Sequence, residues 1–118
     1  MWIFTTKGFL SIVRHTDKPN VLLVRSRFKG HIEKMFSNAH VIEDATRDYR
    51  YRAELPVKEV SRVIGELVLK IEYENFKNSL NDKRYLNCCH DVYYSVIRNS
   101  IERDLANLIC GRRKTDEG

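Results

Sequence analysis

Cysteine is scarce in this chain: three residues of 118, at positions 88, 89 and 110. An odd number with two adjacent is a poor disulfide framework, which argues against a fold stapled by cross-links and fits reduced thiols in the cytoplasm. No apolar run approaches the roughly 20 residues of a membrane-spanning helix. The opening MWIFTTKGF has no charged leader followed by a long apolar stretch, so no signal peptide is expected. The five glycines stand apart at 8, 30, 65, 111 and 118, so no glycine-rich loop cradles a nucleotide phosphate. Zinc-ligand spacing is also missing. The run Cys88-Cys89-His90-Asp91 gathers four ligand types, but neighbours on a helix point about 100° apart and cannot converge on one ion. The adjacent carboxylates Glu43 and Asp44 fall in a predicted turn and read as solvated. These absences leave no enzyme signature, and the expectation is a non-catalytic protein without cofactor or metal.

What the chain does have is positive charge, unevenly placed. The formal net charge is +5. Residues 1–52 carry ten Lys/Arg against five Asp/Glu, so the whole excess lies there. A basic half favours encounter with phosphates or with an acidic protein surface. Hydrophobic content of 42% and charged content of 31% suit a globular chain, and its length suits a single core.

Periodicity supplies the elements. WIFT and FLSIVRH, separated by Thr6-Lys7-Gly8, predict a hairpin in which Gly8 supplies positive φ. TDKPN, at 16–20, predicts a second turn, and VLLVRSR a third strand. Ser26 is placed to cap a helix over about 27–37, with Phe28, Ile32, Met35 and Phe36 on its apolar side. HVIED suggests a short strand. DYRYRAEL alternates, with Tyr49, Tyr51, Ala53 and Leu55 on one face and Arg50, Arg52 and Glu54 on the other. Pro56 opens a helix whose stripe runs through Val57, Val60, Ile64, Leu67, Val68 and Ile71. A linker with one helical turn near Phe76 leads to a terminal helix from Arg84 to Leu108, long enough for a globular helix to leave room for a kink or a break. Residues 1–110 are read as one domain and 111–118 as a frayed tail. The order predicts an α+β fold: a two-layer sandwich with helices on one face of an antiparallel sheet, ferredoxin-like, with an added C-terminal helix. FLSIV and VLLV are apolar on both alternate faces, so the second sheet face should be covered, by a homodimer, a partner protein or the last helix.

Three constellations bear on function. Lys7-Gly8-Phe9 is similar to the signature strand of RNA-recognition domains, but it lacks the following small residue and second aromatic. It reads instead as a hairpin turn with a core aromatic. The stronger case is a patch: Arg25 and Arg27 share a strand face, Arg27, His31 and Lys34 recur at helical spacing, and Arg50 and Arg52 project together beside tyrosines. Arg25, Arg27, Lys34, Arg50 and Arg52 are therefore the candidate phosphate contacts for nucleic acid. Arg84 and His90 have the Arg-x5-His spacing of helical-bundle ribonucleases, in a chain whose strands do not suit that all-helical fold.

The segments WIFTTKGFLSIV, DYRYRAEL, YENFKNSL and HDVYYSVI together resemble a family of small bacterial and phage α+β proteins of unknown function. The resemblance rests on the Trp/Phe hairpin, on Tyr73, Asn75, Phe76 and Lys77, and on His90, Asp91, Val92 and Tyr93. It implies architecture and a bacterial origin, not catalytic residues. The alternative function is a protein-interaction module, such as a phage- or mobile-element-encoded inhibitor of the anti-CRISPR kind that binds a host protein complex.

Overall fold

The computed structural model describes residues 1–116. Two compact units divide the chain, Met1–Ser79 and Leu80–Gly118. The first holds strands β1 (Trp2–Thr5), β2 (Gly8–Arg14) and β3 (Val21–Ser26), helix α1 (His31–Met35), strands β4 (Ile42–Glu43) and β5 (Tyr51–Pro56), helix α2 (Val57–Leu69) and a 3-10 turn at Lys77–Ser79. The second holds one helix, α3 (Lys83–Asp116). The fold is α+β, with an open five-stranded sheet in the order β1-β2-β3-β5-β4 and every neighbouring pair antiparallel. A ferredoxin-like unit alternates strands and crossover helices. Here the first three strands are consecutive neighbours, and that order does not reproduce it.

The core forms on one face of this sheet. Leu10 and Ile12 of β2 stand beside Val24 of β3, which pairs with Ala53 of β5, as Leu22 pairs with Leu55. Ile32, Met35 and Phe36 from α1 and Val60 from α2 complete the buried cluster, in which Leu10, Val24 and Ile32 are fully excluded from solvent. Burying side chains of this size contributes about 1.5–3 kcal/mol each. Helix α2 adds Val63, Ile64 and Leu67 at the same face. Val68 and Ile71, expected in that stripe, are exposed. The helix ends at Leu69, so Ile71 no longer follows its phase.

The predicted helix over 27–37 is only His31–Met35. Ser26 remains in β3, and its hydroxyl accepts from the Phe28 N–H at 3.1 Å and donates to the Phe28 carbonyl at 2.7 Å. That local ring turns the chain without starting a helix. Gly30, at φ +89°, then begins α1. Because residues 27–30 are not helical, the spacing that placed Arg27, His31 and Lys34 on one polar face does not hold.

His31 is instead buried at 4% exposure. Its Nδ1 accepts a hydrogen bond from the Phe9 N–H at 3.1 Å, which leaves the ring proton of the neutral imidazole on Nε2. The ring lies against Gly8, where a Cβ would come within 2.4 Å of His31 Cγ. Gly8 also has φ +147°, a conformation that L side chains rarely adopt. The glycine of the Lys-Gly-Phe segment therefore serves the packing of a histidine. Phe9 does not enter the main core, since Leu10 and Ile12 take that face. It stacks on Phe4 at 4.5 Å between centroids and meets Trp2 edge-on at 5.9 Å, forming an aromatic cluster on the opposite face.

In the second unit, Asp82 precedes α3, and its carboxylate accepts from the Arg84 and Tyr85 N–H groups at 3.0 and 3.1 Å. This N-cap fixes the start of the helix. α3 then runs for 34 residues without a break. Residues 111–116 of the segment read as a tail belong to it, and residues 117–118 lie outside the described residues. No helix among the described residues is long and apolar enough to cross a membrane.

Candidate nucleic-acid interface

Antiparallel register gathers four of the five candidate residues at one corner of the sheet. Arg25 of β3 lies directly opposite Arg52 of β5, and the ladder ends one rung later at Ser26 and Tyr51. Residues directly opposite in such a ladder point to the same face. Continuing the same count sets Arg27 against Arg50, just past the strand ends. The segment 44–50 closes this corner. Asp44 accepts from the Thr46 hydroxyl at 2.6 Å and the Thr46 N–H at 3.0 Å, and these bonds hold its carboxyl below its ordinary value.

The arginines differ in how they are held. Arg25 donates to the Ser11 hydroxyl at 2.7 Å, and its guanidinium lies 4.6 Å over the Tyr49 ring. A cation over an aromatic face is attracted by the ring quadrupole and fixed in direction. Arg27 donates to the carbonyl of Asp48. Arg50 is paired with Glu43, whose Oε1 accepts from both Nε and Nη2 at 2.8 Å. Arg52 makes no ion pair among the described residues. Burial lowers its pKa, followed by the positive charges of Arg47 and Arg25, with partial relief from Asp48 and Asp44. Arginine remains charged under such shifts, so the corner concentrates like charge that an anion would relieve. Arg47, 3.6 Å from an Asp44 oxygen, belongs to this group. It was missed because it lies in a segment with no periodicity.

Lys34 does not join them. It sits on α1, whose Ile32 and Met35 pack on the core face of the sheet, while Arg25 and Arg52 alternate away from Val24 and Ala53 on the other. A run of helical spacing across a non-helical turn produced that grouping. Arg84 and His90, six residues apart on α3, stand about 9 Å apart along the axis and about 120° apart around it. The helix does not bring them together on one side. No protein-family model, curated protein or solved structure matches this chain, so the chemistry of the corner rests on its geometry.

Proposed function

We propose that this protein binds nucleic acid through its phosphates at the corner formed by Arg25, Arg27, Arg50 and Arg52, with Arg47 adding to the field. The observation that supports this most is the pairing of Arg25 against Arg52 across two strands, with no carboxylate among the described residues bound to either. Guanidinium groups present planar forks that match phosphate oxygens in pairs. Arg25 is held in place by Ser11 and Tyr49, which lowers the ordering cost of engaging a ligand. Part of the same reading is a two-layer sandwich, the α1–α2 layer on one side of the sheet and the arginines on the other. The aromatic cluster of Trp2, Phe4 and Phe9 shares the arginine face and offers stacking area for bases.

Fluorescence anisotropy with random single-stranded RNA and a mixed-sequence DNA duplex, between about 50 and 200 mM salt, tests the proposal. Binding should weaken steeply as salt rises. The Arg25→Ala/Arg52→Ala variant should reduce the slope of log K against log salt by about 1.8 on duplex DNA, at about 0.9 for each phosphate no longer neutralised. Absence of binding in low salt, or an unchanged slope in that variant, would overturn it.

A further inference from the structure

Strand register joins the arginine corner to the aromatic cluster in transverse rows. Trp2 pairs with Ser11, Ser11 with Arg25 and Arg25 with Arg52, so one row of directly opposite residues crosses four strands. Directly opposite side chains share a face of the sheet. At about 4.8 Å per strand, Trp2 stands about 10 Å from Arg25 and about 14 Å from Arg52. The neighbouring row on that face repeats the pattern. Phe4 pairs with Phe9. Continuing the β2–β3 and β3–β5 counts past their last paired residues brings Phe9 level with Arg27, and Arg27 level with Arg50. Both rows therefore begin in an aromatic ring at β1 and end in guanidinium groups at β3 and β5. No carboxylate stands in either row.

Trp2 is the ring best placed to receive a base. It is 69% exposed, while Phe4 and Phe9 are half-buried. Phe9 meets the indole edge-on, with 88° between the ring planes, and so supports it from one side. Resting on the phosphate reading above, we infer that the bound nucleic acid is single-stranded and crosses the strands along these rows, with one base stacked on the Trp2 indole and neighbouring phosphates on Arg25 and Arg52. A stacked strand advances about 3.4 Å per nucleotide. The distance of about 14 Å therefore takes in about four nucleotides, at the low end of the site sizes of single-strand-binding folds. In a duplex the base faces are already stacked on one another, and laying one on the indole would require extruding it from the helix. Only an unpaired strand can use the rings and the guanidinium groups together without that cost. Stacking is tolerant of sequence, because every base has a π-face.

Trp2 is the only tryptophan in the chain, so its emission reports stacking directly. The test is a fluorescence titration of the full chain with oligouridylate and oligodeoxythymidylate of about 12 nucleotides, and with the mixed-sequence DNA duplex. Both single strands should quench Trp2 and the duplex should not, and the ratio of the two single-strand affinities distinguishes RNA from DNA as the source. The wild type should bind single strands more tightly than duplex. By anisotropy, Trp2→Ala should weaken single-strand binding by about 5- to 150-fold, the loss of one base stack, and leave duplex affinity and the salt slope unchanged. Trp2→Phe should recover most of the loss, since it restores a stacking ring. Salt-sensitive binding without quenching, tighter binding of duplex than of single strands, or an equal loss on both in Trp2→Ala would overturn the single-strand path and leave the phosphate reading standing. Absence of binding to any of the three probes in low salt would overturn both.

Discussion

Replacing Gly8 with alanine is the most demanding test of how the first unit is assembled. Two costs are expected. The backbone at φ +147° is strained for any residue with a Cβ, by about 1–3 kcal/mol. The new methyl would also lie 2.4 Å from His31 Cγ and 2.6 Å from His31 Nδ1. Displacing a buried ring costs about 1–3 kcal/mol as overpacking and disturbs the Phe9 N–H bond to Nδ1. Gly8→Ala should therefore destabilise by about 2–6 kcal/mol, against a total of about 6–18 kcal/mol for a chain of this length. The thermal midpoint should fall by about 10–20 °C. Denaturant unfolding of Gly8→Ala, His31→Ala and the double variant separates the two costs. Removing the ring relieves the clash but not the φ strain, so the double variant should be more stable than the sum of the single changes predicts, by about 1–3 kcal/mol. Additivity within about 0.5 kcal/mol would refute the contact between Gly8 and His31 as the reason for glycine.

Other consequences are as direct. Lys34→Ala should leave the salt slope of nucleic-acid binding unchanged, since Lys34 lies across the sheet from the arginines; a loss like that of Arg52→Ala, by anisotropy, would contradict the grouping. Ile32→Ala should cost about 2–5 kcal/mol in urea unfolding, because its side chain is fully enclosed. Asn20, at φ +60°, should accept glycine within a few tenths of a kcal/mol, while Asn20→Val should cost about 1–2 kcal/mol. Glu54 accepts from Lys18 Nζ and pairs with His15 Nε2, both at 2.8 Å, and these bonds, Lys18 first, hold its carboxyl below its ordinary value. A depressed folded-state value contributes stability that is present above the unfolded pKa and lost as pH falls through the folded one. The thermal midpoint of wild type minus that of Glu54→Gln should therefore shrink on acidification, and a difference that grows would refute the assignment.

Most strands and both long helices were legible in the sequence because each is set by local periodicity. The alternation of Tyr51, Ala53 and Leu55 marked β5, and Val60, Ile64 and Leu67 marked α2, since those patterns match the backbone repeat whatever the neighbours do. The segment 27–37 misled because Phe28, Ile32, Met35 and Phe36 fit a helical repeat even though Ser26 and Gly30 shape a turn in between. His31 misled for a related reason. Its place on a polar stripe depended on residues 27–30 being helical, and its burial depends on Gly8, far away along the chain. The arginine corner was half visible: strand alternation put Arg25 with Arg27 and Arg50 with Arg52, but nothing local indicated which strands are neighbours.

By itself, the sequence determined that this chain is α+β, where its strands and long helices lie, and that its charge excess falls in the first 52 residues. Those properties follow from side-chain volume, period and charge, each read along the chain. Only the tertiary structure decided that β3 pairs with β5, that Arg25 faces Arg52, that Lys34 stands on the far side, and that His31 fills the space of a missing Cβ. Each of these joins residues distant in sequence, and which of the many permitted pairings forms is settled by how the whole apolar face is buried at once.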